Sequence, residues 1–239
     1  MNTLPDLPVF FDANCLSATE QYEVIGVEAH HALHVLRLQE NDQIIVSNGK
    51  GTLWKAYISK TGRNSFVYSP IETLQALEAT PFTTSIACGL LKTSQRMEIM
   101  VEKLVEIGVK EIIFYSSTRT GKHKSSLKRL EKVAIAAMKQ SRKSFLPPIR
   151  ITTIQDLVSF KIPNKLLASC LEPCPPHLKH IKTTGETMIV IGPEGDFTHQ
   201  EIEYFEHNGF TLCSLGSERL RSETASVYAL ICQQLKHLD

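Results

Sequence analysis

The spacing of apolar positions changes character about a third of the way along the chain. Up to residue 75 the apolar residues fall in short runs with a period near two, the mark of half-buried strands. Residues 8–11, 43–47, 53–58 and 65–68 are such runs. Asn48-Gly49-Lys50-Gly51 lies between the second and third and predicts a hairpin turn. Residues 29–38 carry Leu33, Leu36 and Leu38 and predict one short helix. Short strands with regular turns imply a compact barrel over residues 1–74. Trp54, Tyr57 and Phe66 are then either base-stacking platforms or core, with core favoured in so small a barrel. Residues 71–82, small and acidic and closed by Pro81, read as a linker.

Beyond it strand-like and helix-like stretches alternate, which predicts a mainly parallel sheet in an α/β unit over residues 75–239. The strands fall at 84–91, 111–115, 164–171, 186–191 and 210–214. Met97, Met100, Val101 and Leu104 form the apolar face of a helix over 94–107, which Gly108 ends as a left-handed cap. A further helix is expected over 127–142 and another from Ser222, burying Ala225, Tyr228, Ala229, Cys232 and Leu235.

Two loops stand out because each leaves a strand and enters a helix. At that edge of an open α/β sheet ligands bind. The first is Ile191-Gly192-Pro193-Glu194-Gly195-Asp196, in which Gly192 and Gly195 permit positive φ and close backbone approach. Thr198 and Glu201 form a capping box just after it. The second runs from Leu215-Gly216 through Leu220-Arg221-Ser222-Glu223-Thr224-Ala225.

These two motifs resemble the RsmE family of the SPOUT superfamily, whose signatures usually read GPEGG and LGPRILRTETA. Here they read GPEGD and LGSERLRSETA. Residues 30–37, Arg96-Met97-Glu98 with Lys103, Glu106 and Gly108, and Gln140-Ser141 also fall where the family has similar residues, so the likeness spans nearly the whole chain. Lys139 stands where the family often has glutamate.

The resemblance implies an N-terminal PUA-like RNA-binding barrel and a C-terminal α/β domain closed by a trefoil knot. It implies a homodimer that methylates uridine N3 in small-subunit (16S) ribosomal RNA, with S-adenosylmethionine as cofactor. The matching cofactor positions are Leu171, Glu172, Ile191, Gly192, Glu194, Gly195, Leu215, Gly216, Leu220, Arg221, Thr224 and Ala225. Arg221 is the candidate to stabilise charge developing on the uracil, and Glu194 the candidate base or orienter. Two other readings stand beside this one: a methyltransferase acting on another RNA such as tRNA, and a non-catalytic RNA-binding protein that keeps the fold.

Charge sharpens the choice of partner. The net charge is only +1, yet ten Lys/Arg and a single acid, Glu131, lie between Arg119 and Arg150. Such a local excess suits a polyanion. Candidate RNA contacts are His31, Arg37, Arg119, Lys122, Lys124, Arg142 and Lys143. Six scattered cysteines suit a reducing compartment. Cys170, Cys174, His177 and His180 have spacings that can ligate zinc, but the prolines between them favour no metal. There is no basic segment followed by an apolar stretch at the N-terminus and no long apolar run, so a cytoplasmic protein is expected.

Overall fold

A computed structural model describes residues 4–120 and 126–236. The chain divides into two compact units. One comprises Met1–Thr80 and Met138–Leu146, the other Pro81–Ala137 and Pro147–Asp239.

The first unit is built on a five-stranded sheet in the order β1-β3-β4-β5-β2. Its strands are β1 (Val9–Phe11), β2 (Tyr22–Ile25), β3 (Gln43–Ser47), β4 (Thr52–Thr61) and β5 (Ser65–Ala76). β1 joins β3 in parallel, and the other pairs are antiparallel. The β3–β4 turn is the expected one, with Gly49 at φ 68° and Gly51 at φ 112°. Register shifts at three places along β4 and β5 bend the long hairpin, as bulges do. The short helix runs over Val27–His30 (α1) and opens into a wider π-type turn over His31–Val35. Ala29 and Ala32 pack into the core with Phe10, Ile44, Val46, Trp54, Ile58, Phe66 and Tyr68. Trp54 and Phe66 are therefore core, while Tyr57 is half-buried.

One expectation fails in this unit. Residues 71–76 belong to β5 and not to a linker, because Thr73, Gln75 and Ala76 still pair with Trp54, Leu53 and Thr52. The Met138–Leu146 segment completes the unit. Gly51 N donates to Ser144 O at 2.9 Å, Leu146 N to Gly49 O at 2.9 Å, and Gln75 Nε2 to Ser144 Oγ at 3.1 Å. Lys139 meets its own carboxylate partner here, with Nζ 2.6 Å from Glu28 Oε1. The departure from the family's glutamate is thus locally neutralised.

The second unit holds a six-stranded, all-parallel sheet in the order β11-β9-β10-β6-β7-β8. These strands are β6 (Thr84–Gly89), β7 (Glu111–Ser116), β8 (Ile149–Thr153), β9 (Asn164–Ala168), β10 (Thr187–Ile191) and β11 (Thr211–Cys213). β6 and β10 are buried along their whole length, as central parallel strands must be. The helices are α2 (Ser94–Ile107), α3 (Leu127–Gln140, whose last turn belongs to the first unit), α4 (Ile154–Ser159), α5 (His199–His207) and α6 (Ser222–Leu235). α2 buries the predicted face, each side chain contributing about 1.5–3 kcal/mol. Gly108 caps it at φ 106°. β8 and α4 were not expected. Their signal is present, since Thr153 caps α4 by accepting from Asp156 N and Ile154, Leu157 and Val158 recur at helical spacing.

The strand order places the ligand edge. The chain builds β6, β7 and β8 outward in one direction, then jumps to β9. It sets β10 between β9 and β6 and finishes with β11 beyond β9. The carboxyl ends of β9, β10 and β11 therefore open together onto one side.

Candidate active site

A cleft of about 710 Å³ occupies that side. It is lined from three stretches: Ala168–Cys174 after β9, Ile191–Asp196 after β10, and Ser214–Ala225 after β11. Of the predicted cofactor residues, Leu171, Glu172, Ile191, Gly192, Glu194, Leu215, Gly216, Leu220, Arg221 and Ala225 line it. Gly195 and Thr224 do not. Gly195 instead lies against the stem of Arg119, whose Cβ would stand 3.1 Å from a methyl added there. Thr224 is exposed on the first turn of α6.

The first loop is shaped differently from expectation. Neither Gly192 nor Gly195 has positive φ; that conformation falls on Asp196, at φ 57°. Asp tolerates this region better than most residues, and here its Oδ1 accepts from Phe197 N at 2.8 Å. This is also the fifth position of the motif, where the family has a glycine. Gly192 is needed for space, since a methyl there would meet Asp196 Oδ1 at 3.0 Å and Phe197 Cε2 at 3.2 Å. In the second loop Gly216 does take positive φ, 117°, with open space beside its Cα.

Buried contacts hold the first loop. Tyr115 donates its hydroxyl to Ile191 O at 2.8 Å, and burial drives that phenol well above its ordinary pKa. Pro193 packs on Gly89 at the end of β6. The Thr198–Glu201 capping box forms as expected. Glu201 Oε1 also accepts from Thr118 N at 2.8 Å. Burial pushes the Glu201 carboxyl up, but the backbone amides of Thr198 and Thr118 and their hydroxyls outweigh it and hold its pKa low. The clamp is therefore charged at neutral pH and weakens only as pH falls through that lowered value.

Glu194 is committed to protein partners. Its Oε1 accepts from Lys92 N at 3.0 Å and faces Arg96 Nη1 at 3.4 Å. Arg96 Nε faces Glu223 Oε1 at 3.6 Å as well. Arg96 is a cleft residue that sequence reasoning did not place there, because it arrives from the first turn of α2, far away in the chain. Arg221 lines the cleft, is exposed, and makes no side-chain cap to α6. Ser169 was also missed. It is buried at 6% exposure, its Oγ has no hydrogen-bond partner among the described residues, and it lines the cleft. A buried hydroxyl without a partner costs about 1–3 kcal/mol unless a ligand satisfies it.

The walls suit a flat, partly apolar ligand with charged ends. Ala168, Leu171, Ile191, Leu215, Leu220 and Ala225 provide apolar surface, Glu194 and Asp196 negative charge, and Arg219 and Arg221 positive charge. Cys170 and Cys174 are exposed at the rim, and among the described residues no cluster of His, Cys, Asp and Glu is arranged for a metal ion. Cys88 is fully buried behind the first loop, and burial pushes its thiol up to about 12.

The candidate RNA residues are dispersed. His31 and Arg37 are exposed on the first unit. Arg142 bonds Asp6 and, at 3.2 Å, Pro5 O. Lys143 is half-buried, and burial lowers its pKa. Arg119 donates to the carbonyls of Gly195 and Phe197. Lys122 and Lys124 lie outside the described residues. No helix among the described residues is long and apolar enough to cross a membrane.

Comparison with known proteins agrees with this geometry. A family model described as an RNA methyltransferase domain matches residues 78–234, and one described as an RNA methyltransferase PUA domain matches residues 26–68. Ribosomal RNA small subunit methyltransferase E of Bacillus subtilis is 28% identical over 233 residues, covering 87% of this chain and 88% of that protein. The crystal structure of the Neisseria gonorrhoeae methyltransferase E bound to S-adenosyl methionine is 26% identical, with a TM-score of 0.86 over 96% of this chain and 97% of that one. A probable rRNA-methyltransferase from Porphyromonas gingivalis is 34% identical, with a TM-score of 0.83 over 97% and 98%. With a family model over more than half its length, matching relatives over most of it and a shared architecture, the chain belongs to the RsmE family of SPOUT RNA methyltransferases.

Proposed function

We propose that this protein binds S-adenosylmethionine in the cleft between the β9, β10 and β11 loops and methylates N3 of a uridine in small-subunit ribosomal RNA, in the cytoplasm. The observation that carries the reading is the convergence of both motif loops on one cleft that holds an exposed arginine, Arg221, and a buried hydroxyl, Ser169, unpartnered among the described residues.

The residues fit the cofactor. The apolar wall around Leu171, Ile191, Leu215 and Leu220 suits the adenine, and the open space at Gly216 lets a ligand approach the backbone. Arg219 and Arg221 suit a carboxylate, and the acidic side of the cleft suits a cation. When bound, the cofactor supplies an electrophilic methyl group on a positively charged sulfur.

What the chain adds is position and charge. Uridine N3 is mostly protonated at neutral pH, so its proton must pass to solvent water as the new N–C bond forms. Arg221, unpaired with any acid among the described residues, lowers the energy of the negative charge that appears on the uracil. Glu194 is read as the orienter: its hydrogen bond from Lys92 and its ion pair with Arg96 tie the first loop to the start of α2. RNA is held through phosphate contacts from the basic positions, His31 and Arg37 among them. The trefoil knot is part of the same proposal, supported by the meeting of the three loops at one cleft. So is a homodimer, supported by the apolar row Tyr228, Ile231 and Leu235 along α6, which is exposed although Tyr228 and Leu235 were expected on the buried side. Sedimentation at micromolar concentration is expected to give the dimer mass; a monomer would remove that element.

S-adenosylmethionine at a hundredfold its Kd is expected to stabilise the protein by about 2.7 kcal/mol, raising the melting temperature by about 5–10 °C. Mass analysis of small-subunit rRNA treated with protein and cofactor should then show one methylated uridine. A melting shift without RNA methylation would point to a binding protein. Methylation of tRNA in place of rRNA would reassign the substrate.

A further inference from the structure

The turn that follows β7 reaches across to the first cleft loop. Ser117 N donates to Thr120 Oγ1 at 2.8 Å and Thr120 N to Ser117 O at 3.1 Å, closing a tight turn that presents Arg119. Arg119 Nη1 donates to Gly195 O at 2.7 Å and to Phe197 O at 3.2 Å. Its stem packs where Gly195 has no side chain, with Cβ, Cδ and Cγ at 3.1, 3.3 and 3.7 Å from the point a Cβ would occupy. Beside it, Thr118 N donates to Glu201 Oε1, while Glu201 Oε2 accepts from Thr198 N, each at 2.8 Å.

The two carbonyls that Arg119 holds flank Asp196, the residue with φ 57°. A left-handed conformation is costly for a residue with a side chain. Aspartate tolerates it better than most residues, and contacts that hold the neighbouring backbone offset the remaining cost. Asp196 also lines the cleft together with Gly192, Pro193 and Glu194.

We propose that Arg119 is a positioning residue for the cofactor loop: by fastening the carbonyls of Gly195 and Phe197, one residue before and one after Asp196 with its left-handed backbone, it holds Gly192–Asp196 in the shape that receives the ligand. This role rests on the cofactor assignment above. It takes Arg119 out of the set of simple phosphate contacts, since its Nη1 is already committed to the protein.

The test uses Arg119→Met, which keeps the stem over Gly195 and removes the donors. Amide exchange without ligand is expected to quicken at Asp196 and Phe197 relative to wild type. Calorimetric titration is expected to show S-adenosylmethionine binding about tenfold more weakly, the order expected for loss of a charge-assisted hydrogen bond. KM for the cofactor should rise with it, with kcat changed by less than about threefold. The Arg119→Met penalty should shrink, to about threefold, in an Asp196→Gly background, where no strain needs holding.

Unchanged exchange and unchanged cofactor affinity would overturn the proposal. So would an equal penalty in both backgrounds, which would mean that the arginine acts without regard to Asp196. A loss confined to RNA affinity, with the salt slope reduced by about one, would assign Arg119 to phosphate instead. Should wild type fail to bind the cofactor, the functional reading falls; the exchange measurement, which needs no ligand, still decides whether Arg119 fastens the loop.

Discussion

Arg221→Ala is expected to lower kcat for methyl transfer by about 10²–10³-fold, the scale seen when a donor to a developing anion is removed. Stability should change by less than about 0.5 kcal/mol, because the side chain is exposed and makes no cap to α6. Three arginines line the cleft, and their partners separate them. Arg96 lies between Glu194 and Glu223, at 3.4 and 3.6 Å, so its charge is already answered. Arg219 and Arg221 have no ion-pair partner among the described residues, and of these Arg221 is the one that stands at the N-cap of α6. Cofactor affinity measured beside kcat divides its two candidate roles. A fall in kcat with affinity kept places the guanidinium on the uracil; a matching fall in affinity places it on the cofactor carboxylate. Activity within threefold of wild type would remove Arg221 from the chemistry.

Gly89→Ala should disable the cleft from behind. A methyl at Gly89 would lie 2.7 Å from both N and Cδ of Pro193 and 2.9 Å from its Cβ. The obstacle includes backbone, so no side-chain rotation relieves it. Either β6 or the first loop must move by a large fraction of an ångström. β6 is fixed between β10 and β7, so the loop is the part that gives. Overpacking of this kind costs about 1–3 kcal/mol, which corresponds to a melting temperature lower by about 2–12 °C. A displacement approaching 1 Å in a loop that positions a reactant can cost about a hundredfold in rate. Differential scanning calorimetry and steady-state kinetics measure both effects. A variant with wild-type melting and wild-type KM for the cofactor would show that the Gly89–Pro193 approach has no functional weight.

Local chemistry made much of this fold legible in advance. The Thr198 box, the Gly108 cap, the Asn48–Gly51 hairpin and the stripe on α2 are all decided within a few residues, and all appear as expected. What escaped was decided by distant partners. β5 runs on through residues 71–76 because β4 lies beside it, although that stretch alone looks like a linker. The positive φ fell on Asp196 and not on a neighbouring glycine because Arg119 and Phe197 fix the peptides there. In the cleft, the residues of the two loops were visible as strings, whereas Arg96, noticed only as part of the family likeness, and Ser169, in no motif, reach it through packing. Ser169 does sit directly after a buried parallel strand, so its position was a clue.

The interrupted course of the first unit limits how the protein can be dismantled. A fragment severed after β5 would forfeit Ser144 and Leu146, and with them the backbone partners of Gly51 and Gly49 at the hairpin, as well as the Lys139 cation that answers Glu28. Neither half can therefore be traded between genes at a single splice; any functional transplant must carry two separate coding stretches at once.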